Sequence, residues 1–281
     1  MTVADDHQLA WQLAMEAGQR LLALRASDDV APENLRSAGD RQSHEYLMAE
    51  LGRLRPADAV LSEEGADDRA RLAARRVWIV DPLDGTREFG EPGRTDWAVH
   101  VALWQDGDLA AGAVALPAMD RVLSTWRPAP APRPDETSGR RRGDVPPNAH
   151  RPLRLVVSRS RPPAFVSRLA ADVGAVEVPM GSAGAKAAAV ITGDAEAYVH
   201  SGGQYEWDSA APVAVARAAG LHASRIDGSP LRYNQPDPTL PDVLICQVEL
   251  APRLLDAIGA AMANDPVPLS CRANPAHGEQ S

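Results

Sequence analysis

Val80-Asp81-Pro82-Leu83-Asp84-Gly85-Thr86-Arg87-Glu88-Phe89 decides how the rest of this 281-residue chain is read. The apolar run before it, Val77-Trp78-Ile79-Val80, is short and bounded by a turn signal, which predicts a buried strand. Pro82 cannot extend a sheet ladder, so the strand is expected to stop there and the chain to turn. Asp81 and Asp84 would then project from a rigid strand end and the loop after it, where layered α/β proteins bring their ligands. Gly85 permits close backbone approach, and the amides of Gly85 and Thr86 can face an anion if a helix starts there. Two carboxylates, a glycine and a hydroxyl in this order suit a hard metal ion beside a phosphate.

Working outward, the composition is that of an ordered globular protein, 44% apolar and 24% charged. A net charge of -9 argues against a general nucleic-acid or membrane-surface binder, though not against a small phosphorylated substrate. Cys246 and Cys271 stand far apart, with neither a disulfide framework nor zinc-ligand spacing around them. The N-terminus has no charged-then-apolar signal run, and no apolar stretch is long enough to span a bilayer, so the expected location is the cytoplasm.

Apolar spacing near three and four predicts a helix from about Asp6 to Arg25, and a second from about Asp40 to Leu54, with Asp40 at its start. Ala59-Val60-Leu61 reads as a strand delivering Ser62-Glu63-Glu64. Strands are expected at Trp97 to Trp104, Leu109 to Leu116 and Arg121 to Trp126, with Asp106-Gly107 as a hairpin turn. Residues 127–152 turn abruptly to Pro, Arg, Gly and Ser, which predicts a mobile loop closing an N-terminal half, 1–152. Its Arg140-Arg141-Arg142 run lacks interleaved aromatics and reads as solvated loop.

The second half, 153–265, alternates strand and helix. Strands are expected at Leu153 to Val157, Val176 to Val178, Ala195 to His200 and Val243 to Cys246. Helices are expected at Pro163 to Ala171, Ala183 to Ile191, Trp207 to Ala219 and Ala251 to Met262, before a polar tail at 266–281.

An isolated Asp-x-x-Asp is a weak signal, but Glu63 and Asp208 also sit at the ends of predicted elements. Glu63, Asp81, Asp84 and Asp208 gathered together would repel one another unless cations neutralised them. The donors are all oxygen, and the Leu83 carbonyl could add another, which selects Mg²⁺ or Mn²⁺ over Zn²⁺.

Ser62-Glu63-Glu64, Asp81-Pro82-Leu83-Asp84-Gly85-Thr86 and Trp207-Asp208-Ser209-Ala210-Ala211, in this order, resemble the three signatures of the inositol-monophosphatase superfamily. The resemblance implies an α/β fold, layered α+β in αβαβα order, and metal binding by Glu63, Asp81, the Leu83 carbonyl, Asp84 and Asp208. Two or three Mg²⁺ ions are expected, with Mn²⁺ as a substitute. Of the two glutamates the family pattern favours Glu63, and Glu64 then points elsewhere. Asp40 matches the acid that pairs with the motif threonine, Thr86, in relaying a proton from a metal-activated water, while Gly85 and Thr86 amides hold the phosphate.

Three later passages resemble the bisphosphate-nucleotidase, or CysQ, branch: Val157-Ser158-Arg159-Ser160-Arg161, Gly181-Ser182-Ala183-Gly184-Ala185-Lys186 and Gly228 to Asn234. They imply that Ser158, Arg161, Ser182 and Lys186 hold a nucleotide away from the reacting phosphate, which agrees with the need for cationic donors toward a second phosphate. Arg161 is a departure, because relatives usually carry histidine there. The implied reaction removes the 3′-phosphate of adenosine 3′,5′-bisphosphate, with its 5′-phosphosulfate analogue as a further substrate. The alternatives are an inositol or fructose-1,6-bisphosphate type sugar phosphatase and a non-catalytic metal- or nucleotide-binding protein. The expected partners are a small phosphorylated nucleotide and, as an admissible assembly, a second copy of the chain. Trp207 is expected to pack beside Asp208. His44, His100 and His200 share no pattern and read as structural or exposed.

Overall fold

The computed structural model describes residues 5–130 and 152–263. Most of the Pro/Arg-rich segment, Cys271 and the C-terminal tail therefore lie outside the described residues. The chain opens with two helices, α1 (Asp6–Ala26) and α2 (Leu35–Leu54). Strands β1 (Ala59–Ser62) and β2 (Arg76–Asp84) follow, then a short helix α3 (Thr86–Gly90). Strands β3 (Ala98–Gln105), β4 (Asp108–Leu116) and β5 (Arg121–Ser124) complete the first sheet. Its order is β1-β2-β3-β4-β5, with β1 parallel to β2 and the other pairs antiparallel.

Beyond residue 152 the order is β6 (Leu153–Ser158), α4 (Val166–Val173), β7 (Ala175–Met180), α5 (Ala183–Ile191) and β8 (Ala197–Ser201). Helix α6 (Glu206–Ala218), β9 (His222–Ser224), β10 (Asp242–Cys246) and α7 (Ala251–Ala263) close the chain. The second sheet runs β7-β6-β8-β10-β9, parallel across its first three strands and antiparallel beyond.

Three apolar clusters define the layers. One joins α1 and α2 to the outer face of the first sheet through Leu9, Leu13, Leu47, Trp78 and Val101. The second fills the space between the sheets with α5 and α6, joining Ile79, Ala102, Val190, Val213 and Ile245. The third seats α4 and α7 on the far face of the second sheet. The result is the expected αβαβα stack, and one core spans both sides of residue 152.

Strand β3 shows how sequence alternation builds this. Val99, Val101 and Leu103 face α1 and α2, whereas Ala98 and Ala102 face the central helices. His100, in step with those alanines, must therefore also enter the central layer.

Two boundary expectations fail, each for a local reason. Pro82 does not end β2: the register shifts between Asp81 and Asp84, so the proline sits in a bulge, where a missing N–H costs no ladder bond. Asp40 does not open α2, which starts five residues earlier after a 3-10 turn at Pro32–Asn34. Gly39 is carried inside the helix because a Cβ there would meet Phe89 Cε1 at 2.7 Å and Leu83 Cδ2 at 3.0 Å. The helix at Pro163 begins only at Val166, and β9 had no sequence signal beyond three residues. Among the described residues no helix is long and apolar enough to cross a membrane.

Helix α6 lies against β4 at Gly112, where a Cβ would fall 2.7 Å from Ala214 Cβ and 3.3 Å from the Ala211 carbonyl. Gly112→Val should therefore force the helix off the sheet, lowering unfolding free energy by about 1–3 kcal/mol in denaturant titration. Gly52→Ala is the matched control. It lies in α2 with nothing within 4 Å of its Cβ position, so it should stabilise by about 0.5–1 kcal/mol.

Candidate active site

The bulge in β2 turns Asp81 and Asp84 toward the start of α6, which carries Asp208. One carboxylate oxygen from each of the three lies within 4.8 Å of the others. Asp81 and Asp84 are buried and Asp208 is half-buried. Backbone amides hold each acid in place. Asp81 Oδ1 accepts from Leu83 N at 3.0 Å, and Asp208 Oδ2 accepts from Tyr205 N at 2.7 Å in the first turn of α6. Asp84 caps α5, its Oδ1 accepting from Ala183 N at 3.1 Å and its Oδ2 from Gly184 N at 2.7 Å. Glu63 follows β1, which runs parallel to β2, and its carboxyl hydrogen-bonds Asp81.

Gly85 takes a left-handed φ of 85° and turns the chain straight into α3. That places Thr86 at the first helical position, where Oγ1 lies 3.1 Å from Asp40 Oδ1 and 3.0 Å from the Leu83 carbonyl as a shared donor. Asp40 reaches it from the second turn of α2. Glu64 is near enough to Asp40 to raise its pKa, so it does not point wholly away from the site.

These groups form one side of a cavity of about 390 Å³, lined there by Asp84, Gly85, Thr86 and Asp208. Ser158, Arg161, Ser182 and Lys186 line it as well. Ser158 Oγ accepts from Arg161 N at 3.1 Å, and Ser182 Oγ caps α5 by accepting from Ala185 N at 2.8 Å. Each hydroxyl keeps its O–H to donate. Arg159 is tied to Glu88 at 2.5 Å and Glu91 at 3.2 Å, whereas Arg161 is exposed and has no carboxylate partner among the described residues.

Lys186 enters this lining from inside α5. It is buried at 3% exposure, and its Nζ donates to the Gly181 carbonyl and to the Ser182 carbonyl at 2.9 Å. Burial lowers its pKa, against the opposing charges of Asp84 and Asp208, so it stands near the acids as well as in the cavity lining.

The electrostatics divide the acids into two kinds. Loss of hydration pushes Glu63 up to about 7, helped by Asp208 and Asp84, although its hydrogen bond with Asp81 acts the other way. Glu63 is exposed by area, yet its carboxyl stands among enough protein to be poorly hydrated. Burial and the charges of Glu63 and Asp84 raise Asp81 well above the usual carboxylate range, and burial with Asp84 raises Asp208 to about 6. Asp84 alone moves down: burial opposes ionisation, but His100, Lys186 and the Gly184 amide outweigh it. His100 and Lys186 thus compensate Asp84 fully and Asp208 only in part, since burial and Asp84 outweigh them there. An all-oxygen cluster short of positive charge fits a hard divalent cation.

Sequence reasoning missed several residues here. His100 is fully buried, with Nε2 at 3.1 Å from Asp84 Oδ2, and only the period-two pattern of β3 could have placed it. Arg87, exposed and without a carboxylate partner among the described residues, lines the cavity beside Thr86. His200 also lines it, with Nε2 at 2.6 Å from the Gly202 carbonyl and its pKa pushed down to about 4 by burial, so it is neutral at pH 7. Trp207 packs against the central core and stacks with Tyr205 at 4.7 Å. Tyr233 is buried, with its hydroxyl 3.2 Å from Ser209 Oγ, and so is unavailable to a ligand.

Known proteins resemble this chain over most of its length. A protein of Mycobacterium bovis named 3'-phosphoadenosine 5'-phosphate phosphatase is 52% identical over 252 residues, covering 88% of this chain and 90% of its own. The Escherichia coli protein named 3'(2'),5'-bisphosphate nucleotidase CysQ is 32% identical, covering 79% of this chain and 91% of its own. The crystal structure of CysQ from Bacteroides thetaiotaomicron superposes with a TM-score of 0.69 at 27% identity, over 86% of this chain and 97% of that one. The model of the inositol monophosphatase family matches residues 4–262, and the chain belongs to that family.

Proposed function

We propose that this chain is a divalent-cation-dependent phosphatase that removes the 3′-phosphate of adenosine 3′,5′-bisphosphate, giving AMP and phosphate. The observation that carries the reading is a single cavity whose lining combines acids of the cluster and the Thr86 that pairs with Asp40 with Arg87 and Arg161, which have no carboxylate partner among the described residues. A site for inositol hydroxyls would need neutral and carboxylate groups instead of Arg87 and Arg161. The named activity of the relative that is 52% identical over most of both chains points the same way.

Asp81, Asp84 and Asp208, with Glu63 and the Leu83 carbonyl, would hold the cation. Hard oxygen donors favour Mg²⁺, in the two- or three-ion complement of the family, with Mn²⁺ as a substitute. When bound, a divalent cation neutralises the acids and the phosphoryl oxygens and makes a neighbouring water easier to deprotonate. Thr86 Oγ1, donating to Asp40 and the Leu83 carbonyl, keeps lone pairs that can accept the proton of the attacking water. Burial raises the pKa of Asp40 to about 6, so it can take that proton on from the threonine near neutral pH. The Gly85 and Thr86 amides, lacking helical acceptors at the start of α3, would hold phosphoryl oxygens. Arg161 and Arg87 would hold the 5′-phosphate, or the phosphosulfate of the analogue. The names of both relatives concern a small phosphorylated nucleotide, which supports this reading.

The raised carboxylates fix the sign of a pH test. Glu63, Asp81 and Asp208 have folded pKa values above their unfolded ones, so the metal-free protein takes up protons on folding. Their contribution to stability is full below the ordinary carboxylate range and is lost as pH rises through about 6 to 7. Thermal unfolding of the metal-free protein should therefore move to lower temperature from about pH 5 to pH 8, and Mg²⁺ should raise it most at pH 8. A Mg²⁺ effect independent of pH would contradict the assignment.

Substitutions separate the two sides of the cavity. Thr86→Ala should lower kcat by about 10²–10⁴ while leaving Mg²⁺ affinity unchanged in calorimetry. Arg161→Ala should raise KM for the 3′,5′-bisphosphate by about tenfold or more, the value of a charge-assisted contact, and leave 3′-AMP unaffected. Turnover of inositol 1-phosphate or fructose 1,6-bisphosphate above the bisphosphate nucleotide would overturn the substrate assignment.

A further inference from the structure

One imidazole touches three of the elements that build the site. His100 projects from β3 into the central layer and is completely buried. Its Nδ1 lies 3.1 Å from the Trp207 carbonyl, next to Asp208 in the chain. Its Nε2 lies 3.1 Å from Asp84 Oδ2, the oxygen that also accepts from the Gly184 amide. The ring rests on α5 so closely that a Cβ at Gly184 would collide with Nε2, and would lie 2.9 Å from Ala98 Cβ. A carbonyl facing Nδ1 requires a hydrogen on that nitrogen, which fixes the ring's orientation.

We infer that His100 is the positioning residue that sets the separation and orientation of Asp84 and Asp208, and through them the affinity of the site for a divalent cation. The inference rests on reading those two acids as cation ligands. A histidine that merely filled the core would need no link to this pair. This one bridges the β2 bulge to the first turn of α6, spanning the gap across which a cation must be shared. Helix α6 also packs directly on β2 and β3, so the ring acts within that packing, as the side chain that touches both Asp84 and the Trp207 carbonyl. Asp84 is held on both oxygens, which leaves it a narrow range of orientations in which to meet a cation.

Calorimetric titration of Mn²⁺ into the metal-free protein tests this without relying on turnover. The wild type is measured first; if it binds no cation, the ligand reading fails, and this inference with it. Given wild-type binding, His100→Leu, which keeps bulk and removes both polar contacts, should weaken Mn²⁺ by about 10–100-fold. His100→Gln can restore a donor toward Asp84 and should recover part of that loss. In an Asp84→Asn background, His100→Leu should cost less than it does in the wild type, because one of the two acids it positions is already neutral. At saturating cation, KM for the bisphosphate nucleotide should stay within about twofold of wild type, as the arginine side of the cavity is untouched. Wild-type Mn²⁺ affinity in His100→Leu overturns the inference. So does a loss of cation affinity and nucleotide KM together, the mark of general disruption, or failure of His100→Gln to bind better than His100→Leu.

Discussion

The constraint on which this structure depends is electrostatic: two carboxylates of one strand and a third from a helix far along the chain bring an oxygen each within 4.8 Å of one another. At such separations in a poorly hydrated pocket, like charges repel by several kcal/mol unless something neutralises them. The fold answers only part of that demand. Asp84 receives two amides at the N-terminus of α5, where the helix dipole favours an anion, and has His100 and Lys186 as positive neighbours. Asp81, Asp208 and Glu63 receive no comparable compensation, and their pKa values rise instead. The uncompensated side is thus held at a cost to the metal-free protein, which a divalent cation removes on binding.

Backbone irregularities carry much of this arrangement. The bulge at Pro82 lets Asp81 and Asp84 reach the same region although they stand three residues apart on one strand. Ser43 Oγ donates to the Pro82 carbonyl at 2.7 Å, so α2 fixes the bulge from the far side of the sheet. A similar clamp holds α6. Glu206 accepts from the amides of Asn234 at 2.6 Å and Gln235 at 2.7 Å. Arg71, fully buried, bonds Asn234 Oδ1 at 2.7 Å and the Gln235 carbonyl at 2.9 Å. The segment between β1 and β2 is thereby tied to the turn that seats Asp208.

Most helices and strands were legible because their apolar periodicity is strong; Ala183 to Ile191 and Ala59 to Leu61 coincide closely with their elements. The acids were legible because local motifs announce them at element ends. What escaped the sequence is what depends on contacts distant in the chain. Nothing near Pro82 says that Asp81 and Asp84 will straddle a bulge, since that depends on the register with β3. Nothing near Asp40, read as the start of its helix, says that the helix starts at Leu35, because the glycine before it is accommodated by a distant contact, the Phe89 ring. His100 was invisible for the same reason: its partners are 16 residues upstream at Asp84 and 107 downstream at Trp207.

Helix α5 fixes Asp84 from within the cavity wall. Its first turn holds Asp84 through the Ala183 and Gly184 amides, while Ser182 caps it from within the cavity and Lys186 bonds back to the Gly181 and Ser182 carbonyls. The Gly181 amide is itself held by Asp96 Oδ2 at 2.7 Å, from the loop after α3. Because the donors to Asp84 are backbone amides, no side-chain rotation can move them, and the acid keeps its orientation for as long as the helix terminus stays in place.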